Sequence, residues 1–282
     1  QKKELIEKIL SEVRSTSSPI IEAVTKTITR KDWNGNLERL THFNIHNHIL
    51  YASSGQNNLI LMYHLLDQKY LGAITNEDLD NNLKHPRGLE IHNDILYISS
   101  ESNSTILKYH LKTKRYMGNV TIDSLRRPAN LRVHNNILYT STWDTNSIFM
   151  CRLPDGKHIG TLTIEGLKGS AGLDIYDNTF LVSSRWNHLI FKYDLKTRKC
   201  AGIITKKDLS NKLGEPTHIV VHNDILYICS FLRDSVLMYN LVTNKYLGTI
   251  NIPWPICLAV YNNILYIGSE EDDAIFRRLL PI

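Results

Sequence analysis

Short apolar runs separated by polar turn signals fill this chain from about residue 40 onward, and the runs share one phrase. It reads Ile49-Leu50-Tyr51, Ile95-Leu96-Tyr97, Ile137-Leu138-Tyr139, Ile225-Leu226-Tyr227 and Ile264-Leu265-Tyr266, with Thr179-Phe180-Leu181 as a degenerate copy. The tyrosine positions (Leu181 in the degenerate copy) are 46, 42, 42, 46 and 39 residues apart. A repeat at that period is one supersecondary unit whose apolar face is covered by its neighbours.

The second copy shows the unit. Gly88 to His92 reads as a short strand ended by the Asn93-Asp94 turn signal. Ile95 to Ser100 is apolar on consecutive positions, which predicts a strand covered on both faces. Ile106 to Leu111 and Tyr116 to Val120 complete four strands with polar turns between them. Fourth strands carry a central glycine (Gly72, Gly118, Gly160, Gly202, Gly248), which predicts close packing or a bulge. Four-stranded units repeated every 40 to 45 residues or so predict an all-β fold, a six-bladed β-propeller of antiparallel blades. The blades span approximately 40–75, 86–121, 128–163, 170–205, 216–251 and 255–282. The sixth copy stops after its third strand, while Val24 to Thr29 has no blade of its own. The segment 23–29 is therefore expected to supply the missing outer strand and close the ring. The run Thr29-Arg30-Lys31-Asp32-Trp33 matches Thr205-Lys206-Lys207-Asp208-Leu209 without gaps, on to His42 against His218. Residues 1–19 read as an amphipathic helix and linker, with Ile6, Ile9, Leu10 and Val13 on one face, and 20–282 as the propeller.

Composition changes this picture little. The 282 residues suffice to bury roughly three quarters of the unfolded surface. A net charge of +5 permits an anionic partner without demanding one. No apolar run reaches about 18 residues, so no membrane-spanning helix is expected. Cys151, Cys200, Cys229 and Cys257 fall in different repeats without CxxC pairing, which speaks against a disulfide framework or a structural zinc site. There is no phosphate loop, dinucleotide fingerprint, nucleophile elbow or HExxH helix.

Pro86-Arg87-Gly88-Leu89-Glu90-Ile91, Ile95-Leu96-Tyr97-Ile98-Ser99-Ser100 and Ile106-Leu107-Lys108-Tyr109 together resemble the NHL repeat, over roughly residues 40 to 280. Pro216-Thr217-His218-Ile219-Val220-Val221 opens the fifth copy similarly. The resemblance implies a propeller. It implies no single activity, because NHL-like propellers include RNA-binding domains, protein-interaction modules and a metal-dependent amidating lyase, and related six-bladed folds include calcium-dependent lactonases. The chain departs from the pattern in its fourth copy, and in the sixth, which opens with Pro255-Ile256-Cys257.

Repetition also separates framework from site. His46, His92, His134 and His222 recur at one position and are assigned to the framework. The residue after the Ser-Ser motif varies among the copies: Gly55, Glu101, Trp143, Arg185, Phe231 and Glu270, five residue types in six copies. In a propeller that position and the start of the inner strand surround one channel mouth. Arg87, Glu101, Asn130, Trp143, Arg185, Trp186, Phe231 and Glu270 are accordingly the expected ligand-binding residues. Trp143, Trp186 and Phe231 offer stacking faces, and Arg87 and Arg185 offer bidentate anion contacts. His42, His218 and Cys257, on consecutive blades, form the candidate metal set. On inner strands, Glu90, Arg132 and Asp174 are expected to pair with one another.

The first expectation is a non-enzymatic binding or scaffold module with a protein or peptide partner, or a small-molecule ligand, and no cofactor. The alternatives are a lyase or hydrolase with zinc or calcium at the central channel, and a single-stranded RNA binder. Substrate, compartment and assembly are left open.

Overall fold

The computed structural model describes residues 26–280. It is a ring of six antiparallel sheets, five of four strands and a last one of three. In the first blade the strands run outward as β1 (Leu40–His46), β2 (Ile49–Ser54), β3 (Leu59–His64) and β4 (Lys69–Ile74). The expected N-terminal helix lies outside the described residues.

The ring follows from the both-faces-apolar second strand. In the second blade Leu96 and Ile98 enter the core shared with blade one, while Tyr97 enters the core shared with blade three. In the fifth, Leu226 and Ile228 face blade four, and Tyr227 and Cys229 face blade six. Each blade is thus a wedge with two apolar sides. Burying a leucine-sized side chain stabilises by about 1.5–3 kcal/mol, so an unpaired blade side is costly. The sixth interface closes the circle by packing Phe43, Leu50 and Ala52 of blade one on Cys257, Tyr266 and Ile275 of blade six. Ile28 joins that core and exchanges both backbone hydrogen bonds with Ile275, at 2.8 and 2.9 Å. Among the described residues the expected outer strand is therefore one bridge on the edge of the last sheet, and 23–25 lie outside them.

The outer-strand glycines are bulges. In blade one Met62 opposes Gly72 and Tyr63 opposes Tyr70, so Leu71 is the extra residue and Gly72 takes φ +107°. A bulge at the outer edge spoils the flat template that would recruit another chain. Inner strands begin two residues earlier than expected. In blade two the strand is Pro86–His92, and a register shift separates the Pro86–Ser100 and Leu89–Ile98 pairs.

Three of the four recurrent histidines stitch blades together. His46 reaches Asp94 (3.4 Å), His92 reaches Asn136 (3.1 Å) and His222 reaches Asn263 (3.4 Å), each across one blade boundary. Where tyrosine replaces histidine the link persists: the Tyr176 hydroxyl donates to Asp224 (2.6 Å), and Tyr261 bonds His48 (3.1 Å). The ungapped match between residues 29–42 and 205–218 also has a structural cause. Thr29–Asp32 and Thr205–Asp208 make the same pair of hydrogen bonds at the start of a 3-10 turn, and Trp33 and Leu209 plug equivalent cores.

Candidate functional site: the channel mouth

The Ser-Ser motif builds the mouth. Its second serine caps the loop that leads into the inner strand: Ser54, Ser100, Ser184 and Ser230 each accept a backbone N–H at 2.8 Å. The next residue donates its own N–H to the carbonyl just before the inner strand, as in Gly55 to Arg39, Trp143 to Arg127 and Phe231 to Glu215. That lead-in residue holds positive φ in every blade: Arg39, His85, Arg127, Gly169, Glu215 and Trp254. Two positions per blade are therefore aimed at one rim by a constant backbone device, and the residues on them, glycine at 55 and 169 included, vary from blade to blade.

They enclose a cup of about 500 Å³, counted with the space open to solvent. Arg87, Asn130, Trp143, Arg185, Phe231 and Glu270 line it, and His42 and His218 form its floor. Trp143 has the Arg87 guanidinium 5.5 Å and the Arg185 guanidinium 5.3 Å from its ring centre. Arg185 also lies 5.2 Å from the Phe231 ring, which meets Trp254 at 5.3 Å. Cation–π contacts shielded from water contribute about 1–2 kcal/mol each and hold these flat groups in place.

Glutamates brace the arginines from behind. Glu101 does not line the cup. Its carboxylate is buried and takes Nε of Arg87 (2.7 Å), Nη2 of Arg127 (2.7 Å) and Nδ1 of His85 (2.7 Å). Burial alone would raise its pKa, but the His85 hydrogen bond and the arginine charges outweigh burial and hold the carboxyl well below its usual range. Glu215 takes Nε of Arg185 (2.9 Å), and Glu270 is paired with Arg39 (3.0 Å). Trp186 also lies outside the cup. It is 56% exposed and its ring covers Gly169, the one lead-in position without a side chain to occupy that space.

At the waist, Nε2 of His42 and Nε2 of His218 are 2.9 Å apart, and the Asn130 amide is 3.4 Å from the former. Burial, then the nearby Arg132, pushes His42 down to about 3. Burial, then His42 and Arg132, pushes His218 well below 6.5. Both rings are neutral, and one donates to the other. Cys257 is not with them. Its sulfur packs against Gly268 beside Leu40 and Phe43 in the core between blades six and one, and burial raises its thiol pKa. Among the described residues no three His, Cys, Asp or Glu side chains converge as a metal set. Glycines make the waist narrow. A Cβ at Gly172 would sit 2.7 Å from the His218 Cα, so only glycine lets these inner strands approach so closely.

Below the waist, Arg132 joins Asp174 (2.7 Å) and lies 3.9 Å from Glu90, as expected. The second cavity there is lined by Asn44, Glu90, Arg132 and His222 and shares His42, Asn130 and His218 with the cup. Sequence reasoning missed the braces His85, Arg127 and Glu215, and Trp254. Their signal was available: they occupy one repeat position, immediately before the inner strand, which carries five residue types in six copies.

No family model and no curated protein matches the chain. Among solved structures it is similar to the computationally designed Ika8 protein, with a TM-score of 0.54 and 11% identity. The alignment covers 86% of this chain and 71% of that one. Such a likeness bears on the fold alone, and the six blades are those of this chain's own sheets. No helix among the described residues is long and apolar enough to cross a membrane.

Proposed function

We propose that this propeller is a non-enzymatic recognition or scaffold module that takes a peptide segment of a protein partner, or a small ligand, at its arginine–aromatic mouth. The observation that carries the reading is the convergence on one cup of Arg87, Asn130, Trp143, Arg185, Phe231 and Glu270, of which only Glu270 has its residue type repeated at the equivalent position of another blade, as Glu101. Unequal side chains on an unvarying frame are what recognition requires, and buried aromatic and arginine anchors are the side chains that dominate binding energies. The NHL-like blade phrases support the reading, because that family includes protein-interaction modules. The test is a peptide library selected on the immobilised protein, with affinities measured by fluorescence anisotropy. The variant carrying Trp143→Ala, Arg185→Ala and Phe231→Ala should lose at least about 30-fold in affinity. Unchanged affinity in that variant would place recognition elsewhere.

A second reading, a metal-assisted lyase or hydrolase, draws on the His42–His218 pair, whose two Nε2 atoms meet on the axis. Stoichiometric zinc in protein purified without chelator, lost in His218→Ala, would establish it. Single-stranded RNA is disfavoured at the mouth because Arg39, Arg87, Arg127 and Arg185 each have a carboxylate partner, which offsets the positive charge there. A steep fall of RNA affinity with salt would reverse that judgement.

A further inference from the structure

Resting on the reading of the mouth as a recognition site, we infer that the cup takes a singly charged carboxylate, held by the outer edges of the Arg87 and Arg185 guanidinium groups. Both arginines are bonded to glutamate only through Nε. Their Nη groups have no hydrogen-bond partner among the described residues, although both side chains are largely shielded, at 22% and 23% exposure. Both guanidinium groups face the Trp143 ring, whose indole N–H is also buried without an acceptor among the described residues. The floor adds the Asn130 amide and His218, whose Nδ1 is buried and unbonded among the same residues. Apart from Glu270, whose carboxylate is paired with Arg39, the polar groups named on this wall are donors, and buried donors left unmet are costly. The complementary group is an oxygen anion, and paired guanidinium N–H groups match a carboxylate's two oxygens.

Charge sets the number of negative charges. Each arginine has a glutamate partner and the floor imidazoles are neutral, so the cup meets an anion with hydrogen-bond donors rather than with excess positive charge, and the desolvation cost rises with every negative charge buried. A phosphate dianion is therefore the poorer fit. The cup is open to solvent, so a small organic acid or the last residue of a peptide can enter it carboxylate first, and both present the same group.

The test changes the ligand rather than the protein. Phenylacetate is compared with phenylacetamide, and the peptide Ala-Gly-Phe with a free C-terminus is compared with its C-terminal amide. Inorganic phosphate is a fifth probe. Nitrogen-edited NMR follows the Trp143 indole N–H, assigned by Trp143→Phe, and the titrations give affinities. The expected result is a shift of that signal and about 10- to 100-fold tighter binding of a carboxylate than of its amide. Arg185→Gln should remove most of that preference, and the wild-type comparison of acid with amide stands if the variant does not fold. Binding by phenylacetate alone supports a free acid as ligand, and binding by the peptide alone supports a chain terminus. Equal affinity of acid and amide, or tighter binding of phosphate, overturns the carboxylate assignment while the recognition reading stands. No response to any probe overturns it too, and the peptide selection with the alanine variant then judges the recognition reading separately.

Discussion

Glu101→Gln keeps the shape of the side chain and removes the charge that organises one side of the mouth. The native carboxylate is only 4% exposed and takes Nε of Arg87, Nη2 of Arg127 and Nδ1 of His85, each at 2.7 Å. Breaking a buried ion pair by removing one partner costs about 3–5 kcal/mol, because the other charge stays behind unpaired. Arg127 is half-exposed and water screens its loss, so its share is small. Arg87 is well shielded and supplies most of the effect. We expect a destabilisation of about 3 kcal/mol, read as a lower urea midpoint at unchanged slope, with tryptophan fluorescence as the probe. The dependence on pH gives the sign a second check. The partners hold the Glu101 carboxyl well below its ordinary 4.5, so its contribution is complete above that value and is lost as pH falls toward the depressed one. The gap between wild type and variant should stay constant from about pH 8 to about pH 5 and shrink on further acidification. A gap below about 0.5 kcal/mol at neutral pH, or one that persists in acid, would refute the reasoning.

Two further outcomes follow from the waist. Gly172→Ala should destabilise by about 1–3 kcal/mol in thermal melts, because the new Cβ meets the His218 Cα and the Ile219 nitrogen at 2.7 Å, and backbone atoms cannot rotate away; a wild-type melting temperature would show that the inner strands have room. The ring protons of His42 and His218 should not titrate between about pH 8 and about pH 5, since burial lowers both pKa values. Stability they confer as neutral groups should be lost as pH drops below 6.5, by up to about 1.4 kcal/mol per pH unit for each, and a midpoint near 6.5 for either ring would contradict their burial.

Where the sequence was legible, the cause was periodicity. Leu96 and Ile98 against Tyr97 announced a strand apolar on both sides, and the packing gives each side its own neighbour. Gly72 announced a bulge and forms one. The inner strand was read two residues short because Pro86 and Arg87 precede a register shift that no local pattern marks. Glu101 and Trp186 were legible as rim positions, yet their roles were not: one is consumed by Arg87, Arg127 and His85, and the other lies over Gly169. Cys257 matched His42 and His218 in repeat position, but its sulfur turned into an interface core where a glycine at 268 left space.

The residues by themselves determined the number of blades, the alternation of core and rim, and which positions were free to differ, because these depend on local hydrophobicity repeated at a fixed interval. Only the closed ring decided which of the differing side chains meet. Arg87, Trp143 and Arg185 are more than 40 residues apart along the chain and become neighbours because three wedges share one axis. Contacts across that axis depend on wedge angle and rotamer, and neither is written in any single repeat.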